Sequence, residues 1–87
     1  MGLGIADFVL DLEEEFGISI PDASQNIVTV AECIDYVFSL VQRLPQEAQK
    51  SQDEVQRRVV ELLSVHTSVP VEEITLDKAI VDDLGLD

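Results

Sequence analysis

Apolar residues recur at helical spacing in three separate stretches of the 87-residue chain. In residues 3–16, 29–44 and 52–66, apolar positions three, four or seven apart share one side of a helix. The stripes consist of Ile5, Phe8, Val9, Leu12 and Phe16, of Val30, Cys33, Ile34, Val37 and Val41, and of Val55, Val59, Leu62 and Leu63. Amphipathic helices bury such stripes by packing against one another, so the sequence predicts a small all-α bundle.

The second and third predicted helices begin at capping motifs. Thr29 precedes Glu32 by three residues, and Ser51 precedes Glu54 by three. In a capping box of this spacing, each side chain accepts a hydrogen bond from the other residue's backbone amide. The two motifs therefore predict where these helices start.

The stretches between the helices contain glycine, proline and polar residues. Gly17 follows the first helix and suits a left-handed helix end, and Pro45 stops the second, which leaves 45–51 as a linker. Residues 23–28 have room for one short helical turn. Residues 71–87 lack a helical period and are predicted to form a long ordered loop, which a compact domain rarely has without a functional reason.

The charge of the chain restricts its partners. The formal net charge is −13, and every lysine and arginine lies between Arg43 and Lys78. Nucleic acid is excluded as an expected partner because phosphate binding needs a basic surface. A basic protein surface is the natural complement of such a chain. No apolar run approaches the roughly 20 residues of a membrane span. No signal peptide is evident, and a single cysteine cannot form a disulfide framework. A cytoplasmic protein is therefore expected.

The first helix carries two leucines away from its apolar stripe. Leu3 and Leu10 are seven residues apart and lie among Asp7, Asp11 and Glu14 on the opposite side. Leucines framed by carboxylates on an outward face are typical of a surface that docks a partner. Scattered surface leucines are also common in proteins that dock nothing there, so spacing alone leaves both interpretations open.

Two motifs at opposite ends of the chain form a known signature when they are joined. Residues 82–87 are D-D-L-G-L-D, and residues 3–22 are L-G-I-A-D-F-V-L-D-L-E-E-E-F-G-I-S-I-P-D. In that order they resemble the acyl carrier protein family, whose signature D-L-G-x-D-S-L is followed by a helix ending in E-E-E-F and by an extended I-P. The resemblance covers nearly the whole chain outside the linker. It implies an acyl-carrier-like bundle of three long helices, one short helix and a long loop.

Relative to that family, the segments stand in a circularly permuted order. Residues 1–44 match the family's C-terminal half, and residues 52–87 match its N-terminal half. Residues 45–51 join the two parts within a single domain, 1–87. If the family's first and last helices are antiparallel, such a linker, spanning up to about 26 Å, is long enough for the join. A designed permutant is the favoured explanation. A natural permutation and a segment of tandem carrier repeats are the alternatives.

The resemblance also identifies a missing residue. In the family, the signature serine carries 4′-phosphopantetheine at the start of the second helix. Its place here falls between Asp87 and Leu3, where Gly2 stands. Glycine has no hydroxyl, so no phosphodiester can form. The parent family carries acyl intermediates in fatty-acid or polyketide synthesis, whereas this chain is expected to keep the fold without being charged.

The family's partner-binding and core positions can be carried over residue by residue. The family's partner-binding positions are acidic or apolar and would bind the basic surfaces of acyl-synthesis enzymes and phosphopantetheinyl transferase. In this chain they are Leu3, Asp7, Leu10, Asp11, Glu13 and Glu14. Gly4 stands where the family often has an acid, which weakens this face. Positions that would line the core or acyl pocket are Phe8, Val9, Leu12, Ile34, Val37, Leu62 and Leu63. Because no acyl group can be attached, a plain core is expected there.

No residue pattern points to enzymatic chemistry. Cys33 lies on an apolar stripe and is expected to be a buried small side chain, and His66, at a helix end, is expected to be partly buried or a helix-terminal cation. Glu13–Glu15 are expected to form a solvated face, and the acids of 82–87 lack the spacing of a calcium loop. A non-enzymatic carrier scaffold is the first hypothesis, and an acidic interaction module without acyl chemistry is the second. A monomer is expected, with a domain-swapped dimer as the alternative.

Overall fold

The computed structural model of the protein describes residues 3–20 and 28–86. They form three helices, α1 (Leu3–Phe16), α2 (Val30–Val41) and α3 (Gln52–Thr67), with short 3₁₀ turns at Gln46–Ala48 and Val71–Glu73. No β-strand occurs within these ranges, so the helical class and the three long helices are confirmed. The turn considered for 23–28 lies outside the described residues, apart from Val28.

α1 ends as its glycine predicts. Gly17 has a φ of 66°, in the left-handed region that suits glycine. Its amide donates to the Glu13 carbonyl at 2.8 Å, and the Ile18 amide donates to the same carbonyl at 3.2 Å. Ile20 is then buried against the core, so the extended segment after α1 turns inward.

The two predicted capping boxes differ in completeness. The Thr29 hydroxyl accepts from the Glu32 amide at 3.1 Å, and the Glu32 carboxylate accepts from the Thr29 amide at 3.2 Å. At α3, the Ser51 hydroxyl accepts from the Glu54 amide at 3.2 Å, and Ser51 serves as the N-cap. The first box is confirmed, whereas only the hydroxyl half of the second is formed in the structure.

One hydrophobic core joins the three helices to the segment after α3. α3 packs against both α1 and α2 and so occupies the middle of the bundle. The fully or nearly fully buried side chains are Phe8, Leu12, Phe16, Ile20, Val30, Cys33, Ile34, Val37, Val41, Val55, Val59, Leu63, Ile74, Ile80, Leu84 and Leu86. The stripes predicted from the sequence account for most of this core.

Two of the predicted core residues lie at its edge. Val9 of α1 and Leu62 of α3 are half-buried and pack against the buried cluster. Each is displaced around its helix from the middle of the apolar stripe, so one side of the side chain still contacts solvent. They belong to the core boundary, whereas Phe8, Leu12, Ile34, Val37 and Leu63 are buried as predicted.

The segment after α3 is held against the start of α2. The amides of Val30 and Ala31 donate to the carbonyls of Lys78 and Leu76, each at 3.0 Å, and the Ile80 amide donates to the Val28 carbonyl at 2.8 Å. The first amides of a helix have no partner within the helix. Here the loop supplies two of those partners and the Thr29 cap supplies others. Residues 71–86 are therefore an ordered loop, as predicted, and they begin with the 3₁₀ turn Val71–Glu73.

The linker contains more structure than a flexible join. After Pro45, residues Gln46–Ala48 form one 3₁₀ turn. The Gln49 side-chain amide donates to the carbonyls of Gln42 and Leu44, at 3.0 and 2.9 Å. These bonds satisfy carbonyls just beyond α2, so the linker is bound to the helix it follows. None of the helices in the described ranges is both long and apolar enough to cross a membrane.

Candidate docking surface on the first helix

One side of α1 faces solvent with an apolar residue at its centre. Leu10 is 54% exposed, although Phe8 and Leu12 on the same helix are fully buried. Asp7 and Glu14, three residues before and four after Leu10, are also exposed. Residues at these separations are neighbours on a helix surface. Asp7, Leu10 and Glu14 together are called the α1 face.

Asp11 lies at the side of α1 that faces α3. Its Oδ2 lies 2.6 Å from Nε2 of His66 in the last turn of α3. The His66 side chain is 16% exposed, and its ring meets Phe8 edge-on with the centroids 5.8 Å apart. The expectation that His66 is partly buried is therefore confirmed, and Asp11 is a helix-joining carboxylate as well as a surface acid.

An ion pair also joins α1 to α3 near the end of α1. Nε and Nη2 of Arg58 donate to the two oxygens of Glu15, at 2.9 and 2.8 Å. Arg58 also pairs with Glu61 on its own helix. The hydrogen bond from Arg58 lowers the pKa of Glu15, and the same carboxylates raise the pKa of Arg58. A two-point guanidinium–carboxylate contact fixes the relative position of the two helices.

Glu13 has a role within its own turn. Its Oε2 accepts a hydrogen bond from the Ile20 amide at 2.7 Å, and its backbone carbonyl accepts those of Gly17 and Ile18. The prediction of a solvated face at Glu13–Glu15 is therefore wrong for two of its three members. Glu13 accepts hydrogen bonds from the turn after α1, and Glu15 binds Arg58 of α3. Of the three, only Glu14 is exposed, and it belongs to the α1 face.

Some predicted site positions lie outside the described part of the chain. Gly2 and Asp87 are not described, and for Leu3 only the helical backbone is. The structure therefore brings together Asp7, Leu10 and Glu14 and places Asp11 beside them at the α3 side. It gives no position for the expected attachment point.

Of the seven residues predicted to line an acyl pocket, five are buried in the core, and Val9 and Leu62 lie at its edge. A cavity of about 440 Å³ lies elsewhere, between the solvent side of α3 and the turn Val71–Glu73. It is lined by Asp53, Gln56, Arg57, Val60, Glu61, Val71 and Ile74, none of which belongs to the predicted lining.

The lone cysteine has no chemical partner in the structure's described ranges. Cys33 is fully buried, and burial raises the pKa of its thiol to about 12. A thiol in that environment stays protonated and unreactive. Within 3–20 and 28–86, no group of three His, Cys, Asp or Glu side chains is placed to hold a metal ion.

The sequence did not reveal which side chains meet between α1 and α3. Asp11, Glu15, Arg58 and His66 are charged or polar residues on two amphipathic helices, as many surface residues are. Their pairing depends on the register of one helix against the other. One signal was present: Asp11 and Glu15 are four residues apart and therefore share a side of α1.

Neither a protein-family model nor a solved structure matches this chain. A function can be inferred from the acidic, leucine-centred α1 face and from the side-chain contacts that fix α1 on α3.

Proposed function

We propose that this protein is a non-enzymatic docking domain, built from acyl-carrier-like helices in permuted order, that binds basic surfaces of other proteins without carrying an acyl group. The observation that carries the proposal is the α1 face. Leu10 is half-exposed between two exposed carboxylates, on a helix whose other side is fully buried. An apolar centre with a charged rim is the usual composition of a protein-binding patch.

The charge distribution supports a basic partner. The chain has a net charge of −13, and α1 contains no lysine or arginine. Arg58, the arginine that contacts α1, is bound to Glu15 and Glu61 and not to the carboxylates of the α1 face. A basic surface would therefore be attracted at long range and then contact Leu10 at short range.

The carrier resemblance also identifies α1 as the recognition helix. The glycine at position 2 supports the second part of the proposal, which is the loss of acyl transfer. The phosphodiester of a carrier needs a side-chain hydroxyl, and glycine at the matching position has none. Five of the seven side chains expected to line an acyl pocket are buried in the core, and Val9 and Leu62 pack against its edge. Both observations favour docking without cargo.

The single core is consistent with the permuted order. Residues from both proposed halves, such as Phe8 and Leu12 on one side and Val59 and Leu63 on the other, belong to one buried cluster. Packing of this kind depends on which faces meet and little on which ends are joined. The linker bound to α2 through Gln49 then acts as the new connection.

Intact-mass measurement after incubation with coenzyme A and a promiscuous phosphopantetheinyl transferase tests the loss of the attachment site. The chain is expected to keep its mass. A gain of one phosphopantetheine would contradict the proposal.

A re-ordered chain tests the carrier relation. Residues 52–87 are joined directly to Gly2 and residues 3–44, in one version with Gly2 retained and in a second with Gly2→Ser. We expect the serine version to gain the prosthetic group and the glycine version to stay unmodified. If a folded serine version also stays unmodified, the carrier relation is wrong, and an acidic docking module unrelated to carriers becomes the better description.

A further inference from the structure

The cavity on the solvent side of α3 is large enough for a small ligand. Its volume is about 440 Å³, which falls within the range of roughly 300–1,000 Å³ that is usual for ligand pockets. One wall is a row of α3 residues that begins at Asp53 and ends at Glu61, and the other wall is formed by Val71 and Ile74 after α3. The cavity shares no residue with the α1 face, so a ligand bound here would not occupy the docking surface.

Part of the cavity lining is apolar and held in place by its own turn. Ile74 is buried, Val60 is half-buried, and Val71 is 43% exposed. The turn is closed by hydrogen bonds from the Glu73 amide to the Pro70 carbonyl at 2.9 Å and from the Ile74 amide to the Val71 carbonyl at 3.2 Å. The apolar lining is therefore formed before any ligand arrives, and an apolar group placed on it would remove Val71 from water.

The polar part of the lining leaves two opposite charges without a partner. Glu61 is bound by Arg58. Asp53 and Arg57 are both exposed and lie one helical turn apart on α3, and neither forms an ion pair with any residue that the structure describes. The carboxylate of Asp53 and the guanidinium of Arg57 are thus available to a ligand beside the apolar lining.

We propose that this cavity binds a short apolar peptide with free ends. The ammonium group of the peptide lies at the Asp53 carboxylate, and its carboxylate lies at the Arg57 guanidinium. Its peptide group bonds to the side chain of Gln56, which lines the same cavity, and its apolar side chains cover Val60 and Val71.

The spacing of the two charges favours a peptide over a single amino acid. Residues four apart on a helix have their Cβ atoms about 5–6 Å apart. Two extended residues span up to about 7 Å, whereas a free amino acid carries both of its charges on one carbon. The Gln56 amide can both donate and accept a hydrogen bond, which matches the donor and the acceptor of a peptide group.

A ligand with one charge fits the same lining less well. An apolar amine would pair with Asp53 and meet the like charge of Arg57. An apolar acid would pair with Arg57 and meet the like charge of Asp53. Close contacts between like charges are unfavourable, so the lining is complementary to a ligand that carries both signs.

Four probes test the proposal on the complete, unaltered chain. Leucyl-leucine has both charged ends, its N-acetyl and amide derivatives lack one end each, and leucine lacks the peptide group. Titrations followed by NMR give the dissociation constants and show which residues respond. We expect each of the other three probes to bind at least about threefold more weakly than leucyl-leucine. Absence of leucyl-leucine binding, a response away from the cavity, or equal binding of leucine would overturn the proposal.

Matched charge variants test which residue contacts which end of the peptide. Asp53→Asn should bind leucyl-leucine and its N-acetyl derivative equally, because the carboxylate that distinguishes them is gone. Arg57→Gln should likewise lose the distinction between leucyl-leucine and its amide. Asp35→Asn and Arg43→Gln change exposed residues outside the cavity and should keep both distinctions. If the cavity variants also keep them, the two charges do not bind the peptide and the proposal is wrong.

Two valines of similar exposure test the apolar contact. Val71 in the cavity is 43% exposed, and Val81 on the loop after α3 is 45% exposed. Val71→Ser should weaken leucyl-leucine binding about threefold or more, because the peptide then covers a hydroxyl instead of two methyl groups. Val81→Ser should leave the affinity unchanged, and equal effects of the two variants would overturn the cavity as the site. Circular dichroism checks that each variant is folded, and the probe series on the unaltered chain tests the proposal without any variant.

Discussion

Nε2 of His66 lies 2.6 Å from Oδ2 of Asp11, and this contact joins the last turn of α3 to the middle of α1. The ring is mostly buried and meets Phe8 of the core edge-on. A group able to carry a positive charge is therefore held between the hydrophobic core and a surface carboxylate. The contact therefore couples the packing of α1 against α3 to the charge of Asp11 at the protein surface.

A double-mutant cycle should measure this link. Asp11→Asn, His66→Gln and the double variant should give a coupling energy of about 0.5–1 kcal/mol, since the carboxylate is partly exposed. Urea unfolding of the wild type, the two single variants and the double variant gives the energies. A coupling energy of zero would show that the Asp11–His66 contact does not stabilise the packing of α1 against α3.

Glu15 should contribute to stability in a defined pH range. Arg58 holds the pKa of Glu15 below its ordinary value of 4.5 in the folded protein. A lowered pKa means that the contribution is present above the unfolded pKa and is lost as the pH falls through the folded one. Glu15→Gln should therefore destabilise at neutral pH, and its difference from the wild type should shrink below about pH 4.5.

Glu14→Gln is the matched control for this measurement. It removes the same charge from the same helix at an exposed position. Unfolding free energies between neutral and acidic pH should show a smaller change for Glu14→Gln than for Glu15→Gln. Equal pH profiles for the two variants would show that general charge repulsion, rather than the Arg58 contact, determines the effect.

The two helix caps should differ in their contribution to stability. Thr29→Ala removes a hydroxyl that takes part in a reciprocal capping box, and Ser51→Ala removes one that accepts a single amide. Each loss should cost about 1 kcal/mol, and the Thr29 variant should lose more because Glu32 also loses a hydroxyl contact. Urea unfolding gives both values. A larger loss for Ser51→Ala would contradict this order.

Cys33 should be protected from thiol reagents in the folded protein. Its side chain is fully buried, and burial raises the pKa of the thiol to about 12. Labelling by an alkylating reagent near neutral pH should be very slow in buffer and fast in denaturant, because reaction needs an exposed thiolate. Mass spectrometry over time gives the two rates. Fast labelling of the folded protein would show that α2 opens readily.

The features predicted correctly from the sequence depend on nearby residues. The end of α1, the start of α2, the Thr29–Glu32 box and most buried positions follow from spacing within one helix, which is visible in the chain itself. The exposure of Leu10 was likewise predicted from its place around α1.

The features that the sequence did not predict depend on residues far apart in the chain. Asp11 meets His66 across 55 positions, and Glu15 meets Arg58 across 43. To predict such pairs, one must know how one helix is rotated and shifted along its axis relative to the other. The spacing of apolar residues does not determine this. The pairing of Val30 with Lys78 was missed for the same reason, since backbone bonds between a loop and a helix start leave no side-chain pattern.

The loop held on the first turn of α2 also determines where the chain can be cut. The peptide group after Lys78 is bound on both sides, because the Lys78 carbonyl accepts from Val30 and the Ala79 amide donates to the Asp83 carboxylate at 2.8 Å. A protease that cleaves after lysine must draw this backbone into its own site and so must break both bonds. Cleavage at Lys78 therefore requires local opening at the start of α2. Long, irregular, acidic segments are common sites of proteolytic cleavage. At Lys78 this segment should resist cleavage for as long as the start of α2 stays folded.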